Sequence, residues 1–402
     1  MNLLIIGYFK FPFGDAGGTR IRNIATGLCS LGINVTVITQ SSTTKTDLLE
    51  QDNDWSYFQK VKYKSANGLI KTGGKSFFKK TINFLLSIRK SVDYMEELML
   101  NEKIDIVLLY TVGFIESFPI YCFCKRRHIP LVSDVVEWTT PGVFTFWLFD
   151  FNFLSSLLKR LIVDKHSDGL LVISSFLERK FSKSVKNIIK IPSIYDFEND
   201  PFLKMSKVKI SNGEINLTFV GGIKKSDGLI YIIDSLDILQ NLGIHVKLHI
   251  IGVEKNSQKA IQLLNYSNEI VNKHVIFRGN LSDNDYYKAL YEADILLLPR
   301  ERTIMTIAAF PTRLVEFLAS GRPIITSDIL DISMYLVDRK EAHLISPSCS
   351  KEISNRIIEI ISNKESAIAL GIAGREKAKL CFDNREHVKT IKNFLESIVI
   401  DS

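Results

Sequence analysis

The chain has 402 residues, 46% of them hydrophobic and 24% charged, so it is long enough for two domains with full hydrophobic cores. The five cysteines show no metal-site spacing beyond the pair Cys122 and Cys124, and their odd number argues against a disulfide framework. The formal net charge of +7 and the lack of an uninterrupted apolar run of about 18 residues favour a soluble or peripheral protein with an anionic partner.

The first predicted elements are a strand, a helix and a second strand. Residues 3–7 form an apolar strand with no positively charged leader, so we interpret the amino terminus as part of the fold and not as a signal peptide. A glycine-containing loop at 14–20 precedes the helix, and residues 33–39 form the next strand. Such a βαβ unit requires a parallel sheet and places Gly17 and Gly18 at its ligand-binding edge. Paired glycines are equally typical of a simple tight turn.

The next stretch is strongly basic. Residues 55–92 contain nine Lys or Arg and no Asp or Glu, and we place one or two helices in the wider stretch 40–103. Apolar side chains alternate with the cations between 75 and 90, which is typical of a helix at the surface of an acidic membrane and also of a solvated charged face. A second, aromatic-rich segment at 143–158 either packs into a core or meets lipid.

Two carboxylates follow the next pair of predicted strands, at 104–110 and 129–134. Asp134 and Glu137 lie where the second of these strands ends. They are candidates for acid–base chemistry, because partial burial raises the pKa of a carboxyl group and the carboxyl edge of a parallel sheet faces the substrate. Capping of the following helix is the alternative interpretation. A further strand is predicted at 167–174.

The chain is then predicted to pass into a second domain. Residues 196–213 are polar and rich in turn-forming residues, and we interpret them as a linker between domains at 1–195 and 214–380. The opening strand-and-glycine pattern recurs at 215–222, so the fold class is α/β, with two Rossmann-like, doubly wound domains facing each other across a cleft. Residues 381–402 contain a terminal amphipathic helix.

In the second domain, strands are predicted at 245–252, 274–277 and 294–299. Cations follow the carboxyl ends of two of the domain's strands, where they would attract an anion; they are Lys224, Lys225, Arg300 and Arg302.

The run from 310 to 326 predicts a helix that starts at Pro311 and Thr312, ends at Gly321 and leads into a strand. The free amides of a helix start favour an anion, and Arg313 in the first turn makes a diphosphate the best guest. Glu316 lies one turn later, where it could accept two hydrogen bonds from a ribose diol. The alternative for Glu316 is a partner of the helix dipole or a surface charge.

This run, Pro-Thr-Arg-x-x-Glu-x-x-Ala-x-Gly-x-Pro, resembles the donor-binding segment of family-4 retaining glycosyltransferases, which have the two-domain GT-B fold. The resemblance implies that the helix start holds the nucleotide diphosphate and that Glu316 binds the ribose. It also implies that the terminal helix crosses back onto the first domain, that the loop of Gly17 and Gly18 closes over the donor phosphates, and that Arg278, Gly279 and Asn280 seat the base. The donor-binding residues predicted in this way are Gly17, Gly18, Gly222, Arg278, Gly279, Asn280, Arg300, Pro311, Thr312, Arg313, Leu314 and Glu316.

The sequence also departs from the family pattern. Ala308 stands where the family has a second Glu, and Gly222 and Asp227 stand where it has Arg and Lys. The family's His near residue 137 is absent, and the acidic pair Asp134 and Glu137 resembles the version found in capsule-type members. We therefore predict Asp134, Glu137, Lys224 and Lys225 as the catalytic residues.

The resemblance implies a metal-independent, retaining glycosyltransferase of surface polysaccharide biosynthesis, which moves a sugar from a nucleotide sugar to a glycan or lipid-linked acceptor. The nucleotide sugar is a substrate, and no cofactor, metal site or nucleic acid partner is expected. The basic stretch suggests peripheral binding to the inner face of the cytoplasmic membrane. A non-catalytic nucleotide-sugar-binding partner is the alternative. A dinucleotide-dependent oxidoreductase is disfavoured because neither half has the required glycine fingerprint.

Overall fold

The computed structural model describes residues 1–42, 50–52, 55–68, 77–141, 150–205 and 208–401. The chain divides into two compact α/β units. Unit 1 consists of Met1–Ile194 and Asn384–Ser402, and unit 2 consists of Tyr195–Asp383.

Unit 1 contains a sheet with the strand order β3-β4-β5-β2-β1-β6-β7-β8-β9. Its strands are β1 Asn2–Gly7, β2 Asn34–Thr39, β3 Glu50–Asp52, β4 Trp55–Phe58, β5 Val61–Ser65, β6 Ile106–Tyr110, β7 Leu131–Val135, β8 Gly169–Val172 and β9 Ile188–Lys190. Strand β4 runs antiparallel to β3 and β5, and the other neighbours pair in parallel. The sequence predicts one or two helices between 40 and 103, and one helix lies there at Phe77–Asn101. Residues 50–52, 55–58 and 61–65 form strands instead, since the buried Val61 and Tyr63 alternate with the half-buried Lys62 and Lys64 at the period of a strand.

The helices of unit 1 are α1 Ala16–Ser30, α2 Phe77–Asn101, α3 Phe114–Arg127, α4 Phe151–Leu158, α5 Ser175–Phe181 and α15 Asn384–Ile400. Helix α1 begins earlier than predicted, since the Asp15 side chain caps it by accepting a hydrogen bond from the Gly18 amide at 2.7 Å. Gly17 and Gly18 therefore lie in the first turn of α1 and not in a loop before it. Helix α15 contributes Val388 and Leu395 to the same core as α1 and β1.

Unit 2 contains a parallel sheet with the order β12-β11-β10-β13-β14-β15. Its strands are β10 Ile215–Val220, β11 Val246–Ile251, β12 Val275–Gly279, β13 Ile295–Leu298, β14 Ile324–Ser327 and β15 His343–Ile345. After β12 the chain returns to the other side of β10, so the strand order reverses between β10 and β13. Open α/β sheets bind ligands at such a reversal, beyond the carboxyl ends of the strands.

The helices of unit 2 are α6 Leu229–Asn241, α7 Gln258–Tyr266, α8 Glu269–Asn272, α9 Asp283–Glu292, α10 Ile304–Ala308, α11 Thr312–Ala319, α12 Leu330–Tyr335, α13 Ser350–Ser362 and α14 Lys364–Phe382. The segment 196–213, predicted as a linker, belongs to unit 2. Its Phe202 and Ile210 are buried there, and Tyr195 at its start donates its amide to the Phe382 carbonyl at 2.8 Å. The terminal segment joins unit 1 from Asn384 rather than from 381.

No helix in the described part of the chain is both long and apolar enough to cross a membrane.

Candidate functional site

The start of α11 lies beside a small network of charged groups in unit 2. Pro311 precedes the helix without a capping side chain, so Thr312 is its first residue and not its cap. From the first turn, the Arg313 guanidinium donates a hydrogen bond to Asp227 at 3.1 Å and another to the Val220 carbonyl. Arg313 thereby connects the helix start to the carboxyl end of β10.

Two glycines make room for this network. At Gly221, which has a positive φ of 148°, a Cβ atom would lie 2.2 Å from Nη1 of Arg313. At Gly228, with φ at 71°, a Cβ atom would lie 1.7 Å from the Pro299 carbonyl oxygen. Larger residues would displace either the guanidinium or the chain after β13.

Arg300 is the second cation at this edge. Its amide donates to the Ser327 hydroxyl at 2.8 Å, and its buried Nε has no hydrogen-bond partner among the described residues. Burial and repulsion by the Arg313 guanidinium lower the pKa of Arg300 to about 10. Arg313 pairs with the Asp227 carboxylate, and both of these charges influence the pKa of Arg300. A cluster of two guanidiniums and one carboxylate favours an anionic ligand.

Glu316 lies in the second turn of α11 and is 8% exposed. Its Oε2 accepts a hydrogen bond from the Tyr286 hydroxyl at 2.7 Å. Burial and the charge of Glu316 raise the pKa of Tyr286 well above its usual value, so the phenol remains a hydrogen-bond donor. Leu314, between Arg313 and Glu316, is fully buried and anchors the helix in the core.

The three residues predicted to bind the base, Arg278, Gly279 and Asn280, do not share one environment in the structure. Gly279 and Asn280 pair with the loop after β11, through bonds from the Gly252 amide to the Gly279 carbonyl at 2.8 Å and from the Asn280 amide to Glu254 at 3.3 Å. The Arg278 side chain instead lines a cavity of about 130 Å³ against α9. Residues Asn216, Thr218, His249 and Glu292 also line that cavity.

Three other predicted residues lie in the turn after β10. Lys224 and Lys225 are exposed, and Gly222 is half-buried with open space where its side chain would be. Their proximity to the Arg313 network comes from the short turn Lys225–Asp227, which places Asp227 against Arg313. The roles of these three residues stay predictions.

In unit 1 the structure separates the two predicted catalytic carboxylates. Asp134 has no exposure, and both of its oxygens accept hydrogen bonds from the Arg20 guanidinium, at 2.8 and 3.0 Å. Arg20 also donates to the carbonyls of Ile191 and Pro192. This geometry disagrees with the predicted acid–base role of Asp134, because a fully buried carboxylate bound through both oxygens is not presented to a substrate. Asp134 instead holds α1 against the end of β7.

Glu137 is exposed and lines a small cavity at the carboxyl ends of β6 and β7 together with Thr111 and Arg160. A buried ion pair also lines this cavity, and in it Lys159 Nζ lies 2.6 Å from Asp164 Oδ1. The same oxygen accepts a hydrogen bond from the Ser133 hydroxyl at 2.7 Å. Lys159 is the first residue of a π-helical turn at Lys159–Val163, and Asp164 follows that turn directly. Such turns are often found at functional sites. Of the predicted pair, only Glu137 is therefore available to a ligand.

Sequence reasoning missed the partners of these groups. No sequence motif marks Arg20, Tyr286 or the pair Lys159–Asp164. Arg20 and Tyr286 meet Asp134 and Glu316 from distant parts of the chain, and Lys159 meets Asp164 across an irregular turn. The one available signal was the five-residue spacing of Lys159 and Asp164, which fits a π turn and not an α-helical face. Across the residues that the structure describes, no group of three or more His, Cys, Asp or Glu side chains could hold a metal ion.

Comparison with known proteins gives these features a context. The model of the family described as glycosyl transferases group 1 matches residues 202–377. An uncharacterized glycosyltransferase of Methanocaldococcus jannaschii is 22% identical over 215 residues, which cover 53% of this chain and 55% of the relative. The chain thus spans about half the length of this curated relative.

The fold has many solved counterparts. A sucrose-phosphate synthase from Thermosynechococcus elongatus aligns with a TM-score of 0.72 at 15% identity, covering 100% of both chains. Anabaena HepE, solved in complex with UDP-glucose, aligns with a TM-score of 0.67 at 14% identity, over 99% of this chain and 100% of the other. These likenesses confirm the predicted two-domain α/β fold of GT-B type. The match to the group 1 family model lies within unit 2.

Proposed function

We propose, starting from a group 1 glycosyl transferase domain at 202–377, that the chain is a retaining glycosyltransferase whose unit 2 binds a nucleotide sugar and whose unit 1 binds the acceptor. The observation that carries the proposal is the excess of positive charge at the strand-order reversal of unit 2. There Arg313 pairs with the carboxylate of Asp227 beside the start of α11, and the buried Nε of Arg300 has no hydrogen-bond partner among the described residues.

This arrangement suits a leaving nucleoside diphosphate. The bond between the anomeric carbon and the diphosphate oxygen breaks with its electron pair on that oxygen, and a guanidinium and helix amides stabilise the developing charge. The acceptor hydroxyl oxygen then bonds to the same face of the anomeric carbon, and its proton passes to the departing phosphate. In this scheme Glu316 holds the ribose and the exposed Glu137 orients the acceptor.

HepE is solved with UDP-glucose, and we propose a UDP sugar as the first donor to test. The purified chain would be incubated with UDP sugars in the presence and absence of glycan acceptors. Steady release of UDP only when an acceptor is present would support transfer, and retention would follow from the anomeric configuration of the product by NMR. Binding of a donor without turnover with any acceptor would refute transfer.

That second outcome would favour a non-catalytic nucleotide-sugar-binding partner. One observation supports this alternative, because Asp227 forms an ion pair with Arg313 and thereby offsets part of the positive charge that the leaving group needs. The Asp227→Asn variant separates the two functions. In a transferase it should change the turnover number, whereas in a binding protein it should change only the dissociation constant.

We further propose that unit 1 docks on an anionic membrane to reach a lipid-linked acceptor of surface polysaccharide biosynthesis. Three adjacent helices, α2, α3 and α4, expose apolar and basic side chains, which we call the apolar–basic face. Its exposed members are Lys79, Lys80, Ile82, Leu85, Leu86, Arg89, Lys90, Ile115, Phe118, Arg126 and Phe151. Each cation near an anionic surface contributes up to about 1 kcal/mol.

Two lysines of the basic stretch at 55–92, which motivated this proposal, have partners within unit 1. Lys62 and Lys64 pair with Glu102 and Glu97, and both lie over the Trp55 ring at 4.7 and 5.1 Å. These two lysines therefore stabilise unit 1 and are not counted in the apolar–basic face. The aromatic residues at 143–149 lie outside the described residues.

Vesicle flotation tests the docking. We expect binding to anionic vesicles at low salt, weaker binding at high salt because exposed charges are screened, and loss of binding in the double variant Leu85→Ser/Leu86→Ser. The matched control is Leu242→Ser, which changes a leucine of unit 2 that is 60% exposed. Equal binding to neutral and anionic vesicles, or no binding to either, would remove the membrane from the proposal.

A further inference from the structure

We propose that Tyr286 is a positioning residue that holds the Glu316 carboxylate in place for a ribose diol and thereby sets the preference for ribonucleotides over 2′-deoxyribonucleotides. The inference rests on the proposed function, in which Glu316 contacts the ribose. It assigns to α9 a part in donor recognition that the sequence pattern around α11 does not contain.

The geometry of the contact supports a positioning role. The Tyr286 hydroxyl lies 2.7 Å from Oε2 of Glu316, a short hydrogen bond to a charged acceptor of the stronger kind. Glu316 is buried apart from 8% of its surface. A glutamate side chain has several rotatable bonds and loses conformational freedom when it is ordered, so a partner that orders it before the ligand arrives strengthens binding.

Tyr286 is itself well held. Its amide donates to the Ser282 carbonyl at 2.8 Å in the first turn of α9. Its ring meets that of Tyr287 edge to face at 5.3 Å, and Tyr287 meets Phe202 in the same way at 5.6 Å. These contacts fix the phenol, so the hydroxyl can transmit the rigidity of the unit 2 core to Glu316.

The bond to tyrosine is compatible with a bond to ribose. An ionised carboxylate has about four lone-pair sites, so Glu316 can accept from Tyr286 and from a diol together. Loss of the phenolic hydroxyl would remove a contact that holds this carboxylate and would loosen its orientation. The loss of this hydroxyl should therefore weaken binding of the ribose hydroxyls. It should not weaken binding of the diphosphate, whose proposed partners are Arg300 and Arg313.

The test compares a ribonucleotide with its 2′-deoxy counterpart by titration calorimetry. ADP, CDP, GDP and UDP are first titrated into the wild-type chain, and the one that binds most tightly is paired with its 2′-deoxy analogue. The variants are Tyr286→Phe, Glu316→Ala and the matched control Tyr266→Phe. The control removes a hydroxyl that donates to Asp234 at 2.8 Å, a tyrosine–carboxylate bond of the same kind on an exposed surface.

We expect the wild type to prefer the ribonucleotide by about tenfold, or about 1.4 kcal/mol, because the 2′-deoxy nucleotide lacks a hydroxyl that can donate a hydrogen bond to the charged Glu316. Glu316→Ala should lose this preference. Tyr286→Phe should reduce it to about threefold or less while binding of the 2′-deoxy nucleotide changes by less than about twofold. Tyr266→Phe should keep the wild-type ratio.

The failures of the two ideas are distinguishable. If Tyr286→Phe retains the wild-type ratio while Glu316→Ala loses it, Glu316 binds ribose and the positioning role of Tyr286 is overturned. An equal loss for both nucleotides in Tyr286→Phe would show that the tyrosine supports the fold, and would also overturn the inference. If the wild type shows no preference, if Glu316→Ala keeps it, or if none of the four nucleotides binds, the ribose role of Glu316 fails, and the inference fails with it.

Discussion

The buried pair of Arg20 and Asp134 gives the most direct test of the structure. We predict that Asp134→Ala destabilises unit 1 strongly and leaves nucleotide binding by unit 2 unchanged. The substitution removes both acceptors of a guanidinium that is only 3% exposed, so the Arg20 charge would remain buried without its partner.

The expected loss is about 3–5 kcal/mol in the free energy of unfolding, the range for breaking a buried ion pair from one side. Adding the hydrogen bonds at 2.8 and 3.0 Å to this figure would count the same interaction twice. For a domain of 150–250 residues, each kcal/mol shifts the melting temperature by about 2–4 °C. Unit 1 should therefore melt roughly 6–20 °C lower.

Differential scanning calorimetry is the measurement, and the double variant Arg20→Met/Asp134→Val serves as the comparison. Replacing both partners removes the unpaired charge, so the double variant should recover part of the loss. The recovery should be incomplete, because Arg20 also donates to the carbonyls of Ile191 and Pro192, which would lose a partner.

Two results would refute this reasoning. A loss below about 1 kcal/mol in Asp134→Ala would mean that Arg20 finds water or another partner, as it does at an exposed site. A double variant as unstable as the single one would mean that the cost comes from the lost volume of the side chain and not from charge.

Three further predictions follow from the site and its surroundings. Arg313→Ala should weaken nucleoside diphosphate binding about tenfold or more while free nucleoside binding changes little; equal losses in calorimetry would speak against a phosphate partner. Transfer should continue in EDTA, and activity abolished by the chelator and restored by Mn²⁺ would contradict a metal-independent reaction. Hydrogen bonding by Arg339, assisted by Arg356, lowers the pKa of Glu359 from 4.5 to about 2, so its contribution is present above pH 4.5 and is lost as the pH falls towards 2. Because Glu359 is 40% exposed, Glu359→Gln should cost only about 1 kcal/mol at pH 7, and urea titrations of the two proteins should converge near pH 2.

The sequence predicts well what depends on local patterns. Apolar runs that end in glycine mark β1 and β10, and the run from Pro311 to Gly321 predicts α11 to within two residues. Strands β11, β12 and β13 also lie within two residues of their predicted bounds. Each of these signals comes from the alternation, capping or turn chemistry of neighbouring residues.

What the sequence does not predict is which charges meet. Arg20 and Asp134 are 114 residues apart, and Arg313 and Asp227 are 86 apart; these pairs exist only because sheet order brings distant strand ends together. The exposed Glu137 and the buried Asp134 look alike in sequence, since both are carboxylates near the end of the same strand, with Asp134 inside β7 and Glu137 just after it. The pairing of Lys62 with Glu102, just after α2, and of Lys64 with Glu97 in α2 was hidden for the same reason, and the basic stretch therefore looked more solvated than it is.

The membership of α15 in unit 1 has a consequence for the order in which the chain folds during translation. Unit 1 begins at Met1, yet part of its core is supplied by Val388, Ile391, Leu395 and Ile398, which the ribosome makes only after the whole of unit 2. Unit 2, an uninterrupted segment whose first and last residues pair through a bridge between Tyr195 and Asp383, can complete its own core earlier. Domains usually fold in the order of their synthesis. Here the half that emerges first must wait, with the apolar face of α1 uncovered, for the segment that follows its neighbour.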